Sequence, residues 1–87
     1  MYNGWKSKQA WNVALWVNND ETLWHEALDC VRWSMNPKDA TLMFVRAMHG
    51  QTTGDGVAYT FANCIEFFEV DWGYFEGIIR DEELGYA

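Results

Sequence analysis

Asp20-Glu21-Thr22-Leu23-Trp24-His25-Glu26-Ala27-Leu28-Asp29-Cys30-Val31-Arg32-Trp33-Ser34 is the stretch whose period decides the fold. Leu23, Trp24, Ala27, Leu28, Cys30 and Val31, with Met35 just beyond, fall on one broad stripe at helical spacing. Asp20 stands where a helix needs a side-chain acceptor for its first free N–H groups, so the segment predicts a helix from Glu21 to about Ser34. His25, Glu26, Asp29 and Arg32 fill the opposite face. Trp33 falls among them, a large aromatic on a polar side.

The neighbouring segments carry the same punctuation. Upstream, Ser7 is an N-cap for Lys8 to Val17, and Asn18-Asn19 stops that helix. Trp11, Ala14 and Leu15 make one face of it, while Trp16, Val13 and Val17 occupy others. A helix apolar nearly all round is buried on several sides or covered by another subunit. Downstream, Asn36-Pro37 reads as N-cap and first-turn proline for Lys38 to His49, and Gly50 ends the helix. The third helix buries Ala40, Met43, Phe44, Val45, Ala47 and Met48 on a wide side.

Gln51 to Gly56 is a polar, glycine-bearing loop. Val57, Tyr59 and Phe61 alternate as a short extended segment around Val57–Phe61 would, but Phe61, Cys64, Ile65 and Phe68 fit the helical template better. The expectation is a short helix capped by Thr60. A last helix is expected after Asp71 as its cap, with Trp72, Phe75, Ile78 and Ile79 inward and Glu76 paired to Arg80, fraying at Asp81-Glu82-Glu83. Gly73 and Gly77, four residues apart, weaken it yet leave room for close helix approach. The expected architecture is therefore all-α: a compact bundle of four or five short helices in a single domain, residues 1–87.

Composition agrees. Eighty-seven residues with 49% hydrophobic content, including five Phe, four Tyr and six Trp, make a modest core. The net charge of −7 arises entirely after Gly50, where Asp55, Glu66, Glu69, Asp71, Glu76, Asp81, Glu82 and Glu83 face only Arg80. An acidic surface repels nucleic acid and anionic lipid and attracts basic protein surfaces. The opening Tyr2-Asn3-Gly4 does not read as a secretion signal, and no stretch has the roughly 20 apolar residues that span a bilayer. Cys30 and Cys64 read as reduced, buried thiols.

Tyr2-Asn3-Gly4-Trp5-Lys6, Lys8, Trp11-Asn12-Val13-Ala14-Leu15-Trp16 and Asn19-Asp20-Glu21 resemble a group of small uncharacterised phage proteins that begin Tyr-Asn-Gly-Trp-Lys-Asn-Lys-x-Thr-Trp-Asn-Val-Ala-Leu-Trp. Ser7 and Ala10 replace the pattern's Asn and Thr. Gly54-Asp55-Gly56-Val57 resembles that group's Pro-Asp-Gly-Val turn without the proline, and Val70-Asp71-Trp72 resembles its helix start. The resemblance implies a phage origin and a place in the host bacterial cytoplasm. It brings no catalytic residue with it.

Chemistry offers little against a binding role. His25 with Asp29 at i+4 reads as ordinary helix surface, and Cys64 with His49 as core and rim rather than nucleophile and base. His25, His49, Cys30 and Cys64 lack zinc-ligand spacing, and Gly50 to Gly56 has no lysine to hold phosphate. The expectation is a non-enzymatic protein, without cofactor or metal, that occludes a basic surface on a host protein. Nucleic-acid mimicry is its sharpest form. Its expected contact residues are Glu66, Glu69, Asp71, Glu76, Asp81, Glu82 and Glu83, with Trp33, Trp16 and Trp5 as aromatic anchors. The rival expectation is a homodimer built on helix one, with an acidic face that is merely solvated.

Overall fold

A computed structural model describes residues 1–85 of the chain. Four helices account for most of it: α1 Lys8–Asn19, α2 Glu21–Arg32, α3 Pro37–Ala47 and α4 Phe61–Glu83. The fold is all-α, and the only bridges among the described residues are two isolated ones, Tyr2 with Trp5 and Thr52 with Ala58.

Each helix begins where its cap predicts. Ser7 accepts from the Ala10 N–H, Asp20 from Leu23, Asn36 from Asp39 with Pro37 behind it, and Thr60 from Asn63. Each such acceptor satisfies a backbone donor that the helix leaves open, a contribution of about 1 kcal/mol. Asp20 is shared, closing α1 and opening α2. Before α1, Tyr2 and Trp5 exchange backbone hydrogen bonds of 2.6 and 2.7 Å across Asn3-Gly4. Both turn residues take positive φ, 47° and 89°, which the tight mirror-image hairpin turn requires.

The last quarter departs from the sequence reading. Residues 61–83 form one 23-residue helix instead of two short ones, and Asp71 lies in its interior, not at a cap. No Pro or loop signal separates Phe68 from Trp72, and the inward positions Phe61, Cys64, Phe68, Trp72, Phe75 and Ile79 keep three- and four-residue spacing throughout. Asp81, Glu82 and Glu83 remain helical, with Leu84 as C-cap. The extended segment around Val57–Phe61 reduces to the bridge at Ala58, and Phe61 already opens α4. Glu76 and Arg80 form no ion pair among the described residues.

At 1.5 Å per residue α4 is about 34 Å long, close to the 38 Å long dimension of the molecule. It packs on α1, α2 and α3, and each of those helices needs it to cover an apolar side. Phe67, Phe68 and Phe75 from α4 meet Phe44 of α3 in the centre, all four fully buried. Their rings pack edge to face, Phe44 with Phe68 at 5.4 Å and Phe67 with Phe68 at 5.2 Å, the arrangement that aromatic quadrupoles favour. Trp24 of α2 leans on Phe75 at 5.7 Å. No helix among the described residues is long and apolar enough to cross a membrane.

Candidate functional site

The structure divides the eight late acids into two groups. Asp55, Glu66, Asp71 and Glu82 are engaged within the chain. Glu66 points both carboxylate oxygens at the backbone N–H of Lys6, 3.0 and 3.2 Å away, and so pins the amino-terminal turn onto α4. Glu82 receives the Arg32 guanidinium at 2.7 Å, tying α4 to the end of α2, and Asp29 supports Arg32 from 3.5 Å. Asp71 is half-buried; burial raises its carboxyl above the ordinary 3.8, and the nearby Asn18 side chain of α1 partly offsets this.

Asp55 closes a polar clamp between α1 and the loop. Its Oδ2 accepts from Asn12 Nδ2 at 2.9 Å and from Trp16 Nε1 at 3.0 Å, two donors one helical turn apart on α1. Thr53 donates its hydroxyl to Asn12 Oδ1 at 2.6 Å and accepts from the Val57 N–H at 3.0 Å. Asn12 and Thr53 are each only 3% exposed, so the network satisfies polar groups that have no access to water. The indole of Trp16 lies over Gly54, where any Cβ would strike its six-membered ring. The hydrogen bonds from Trp16, then Asn12, and then the charge of Lys8 hold the Asp55 carboxyl below 3.8. Beside this clamp lies a shallow cleft of about 430 Å³ between Lys8, Gln9, Trp11 and Val57.

Glu69, Glu76, Asp81 and Glu83 remain exposed, all on α4. Seven residues are nearly two turns, so Glu69, Glu76 and Glu83 line one edge of the helix, with about 10 Å between successive carboxylates. Val70 and Tyr74, both exposed, lie on the other edge together with Asp81. Between the edges stand Gly73 and Gly77, over which the chain places nothing within 4 Å of where a Cβ would be. Arg80 is the one cation of this face. The face combines negative charge, a bare central strip and an apolar border, and no other part of the described chain covers it.

The aromatic expectations separate from the acidic ones. Trp5 is partly buried against the core, and Trp16 is spent on the Gly54-Asp55 clamp. Trp33 is 76% exposed, but it belongs to the α2–α3 corner and not to α4. Arg32 turns toward α4, and Trp33 lies about 100° further round α2. Met35, expected on the inward stripe, is 90% exposed because α2 stops at Arg32 and the chain turns before reaching it. Helix one has a cover within its own chain: Ala10, Asn12, Val13, Ala14 and Val17 are buried between α2, α4 and the loop, and Leu15 alone among its aliphatic residues is exposed. That burial removes the reason for placing a dimer contact on helix one.

His25 sits 3.8 Å from Glu21, and Asp29 turns to Arg32, so the His25–Asp29 pairing considered from spacing does not form. Cys64 is fully buried, and its thiol is pushed up to about 12 by burial. Cys30 reaches about 12 as well, from burial first and then from the charges of Glu26 and Asp29. Thiols so shifted hold almost no thiolate at neutral pH. No group of three or more His, Cys, Asp or Glu among the described residues gathers as metal ligands. The clamp was hidden from sequence reasoning, because Asn12 and Asp55 lie 43 residues apart and neither is unusual in its local setting.

Fold and surface together define a class: a compact all-α protein whose long fourth helix turns a charged face outward. Within that class, the chain belongs to a family of unknown function, DUF7249, whose model matches residues 1–83. No curated protein and no solved structure matches the chain.

Proposed function

We propose that the protein is a phage accessory factor that binds a host bacterial protein through the outer face of α4 and occludes a basic surface on it. The observation that carries this reading is the line of Glu69, Glu76 and Glu83 along one rigid helix, opposed on its own face only by Arg80. Carboxylates fixed on a helix keep their spacing as a partner approaches, and a field of one sign steers encounter with a surface of the other. Tyr74, 62% exposed beside Val70, supplies the apolar contact that charge alone lacks. This role shifts from tryptophan to tyrosine because Trp16 and Trp5 are held by their own chain.

Charge density favours a basic protein groove over strict imitation of a nucleic acid. Duplex DNA carries a charge about every 1.7 Å, whereas the acidic edge carries one about every 10 Å. The test is capture from nuclease-treated host lysate by the tagged protein, eluted with rising salt and identified by mass spectrometry. A dominant basic protein released by salt is expected. Replacing Glu69, Glu76 and Glu83 together by Gln should slow its association about tenfold at low salt while leaving the helical spectrum unchanged. Capture that is unaltered by the triple replacement refutes the reading.

A further inference from the structure

The α2–α3 corner presents a second surface, on the neutral half of the chain. Trp33 and Met35 flank the connection, and Ser34 between them donates to the Cys30 carbonyl with its hydroxyl 3.1 Å from the sulfur of Met43. That contact makes Met43 continuous with the Trp33–Met35 segment, and Leu42 precedes it on α3. Trp33, Met35, Leu42 and Met43 are all exposed. Met35 occupies the position before the Asn36 cap, from which a side chain ordinarily folds onto the fourth helical residue as a staple. Here that residue, Ala40, is fully buried and Met35 stands clear in solvent. Together the four side chains leave on the order of 500 Å² uncovered, comparable with the largest, often functional, patch of a monomer and more than half of the ~800 Å² each partner gives to a standard interface.

We infer that this corner is the contact between two copies of the chain, forming a symmetric dimer. Charge selects the occupant. Each copy carries −7, and pairing through α4 would bring Glu69, Glu76, Asp81 and Glu83 of two chains together. Around the corner, Glu26, Asp29, Asp39 and the Glu82 carboxylate bound to Arg32 stand against Arg32, Lys38 and Arg46, so four acids against three bases leave it near neutral. Of these two surfaces it is therefore the one on which two strongly acidic molecules meet with less repulsion, and its mixed signs let a two-fold axis set Lys38 or Arg46 of one copy against Asp39 of the other. A basic partner is drawn instead to α4, which points elsewhere. Trp33 and the methionines give such a contact one rigid aromatic anchor and adaptable filler around it.

Sedimentation velocity on the full chain over a range of concentrations tests this. A monomer–dimer equilibrium is expected, weakened at least about tenfold by Trp33→Ser and again by Leu42→Lys, two exposed positions whose replacement leaves the helical spectrum intact. Tyr74→Ser on α4 should leave the equilibrium unchanged. A monomer at every concentration overturns the inference. So does a dimer indifferent to both corner substitutions, or one lost with Tyr74→Ser, since either assigns self-association to another face.

Discussion

Replacing Asn12 by Ala probes the polar clamp most directly. The substitution removes the acceptor of the Thr53 hydroxyl at 2.6 Å and a donor to Asp55 at 2.9 Å. Thr53 is almost wholly buried, so its hydroxyl loses its partner without gaining water, which costs about 1–3 kcal/mol. The small void left by the amide adds about 1 kcal/mol or less. A total of about 1–4 kcal/mol corresponds, for a domain of this size, to a fall in Tm of roughly 5–30 °C. Thermal unfolding by circular dichroism reads it, and amide exchange should quicken in step at Thr53, whose N–H donates to the Val57 carbonyl at 2.8 Å, and at Val57, whose N–H donates to the Thr53 hydroxyl at 3.0 Å. Asn12→Asp sharpens the test: it keeps an acceptor for Thr53 but sets a second carboxylate against Asp55. That variant should be less stable than wild type at neutral pH and recover part of the loss in acid, where one proton serves both groups. A Tm change below about 5 °C for Asn12→Ala, under about 1 kcal/mol, would show that the loop does not depend on the clamp.

Further outcomes follow from single contacts. Gly54→Ala should lower stability by about 1–3 kcal/mol and redden tryptophan emission, because the new Cβ displaces the Trp16 ring; an unchanged spectrum and Tm would place that ring elsewhere. Asp71→Asn should raise Tm at neutral pH: a carboxyl shifted upward in the fold opposes folding while charged, and its cost fades as pH falls through the raised value. Asp55 has the opposite sign. Its folded value lies below 3.8, so its contribution is complete above that pH and disappears as pH falls through the lower folded value, and Asp55→Asn should flatten the acid limb of the stability curve. Cys30 and Cys64 should resist a thiol reagent in the native protein and react fully on unfolding; rapid native labelling would contradict their burial.

The first three helices were legible because each begins with a residue that does its capping locally, within three positions of its partner. The same logic misled at Asp71, since an acid ahead of Trp72 and Phe75 reads as a cap when only the next turn is considered. What decided the matter was burial of Phe67, Phe68 and Phe75 along one line, a property of the packed core that overrides local preference. The charge asymmetry was plain in the sequence, but its division was not. Whether Glu66 or Glu69 faces water depends on where the amino-terminal turn lands, 60 residues away in sequence from Glu66. Two segments far apart in the sequence meet in space: Asn12 and Trp16 of α1 hold Asp55 of the loop. The outer face of α4 lies apart from this clamp.

The central place of α4 also sets an order of events during synthesis. The ring of Phe44 and the inner faces of α1 and α2 emerge from the ribosome well before Phe67, Phe68 and Phe75, which complete their surroundings. At ~5–20 residues per second the earlier helices spend a second or more with an open core, a period in which exposed aromatic surface invites chaperones and stray association. Folding of this chain is then a single closing step, made when the last helix arrives. A premature stop anywhere before Phe75 should yield a polypeptide for the cell's proteases, not a smaller version of the protein.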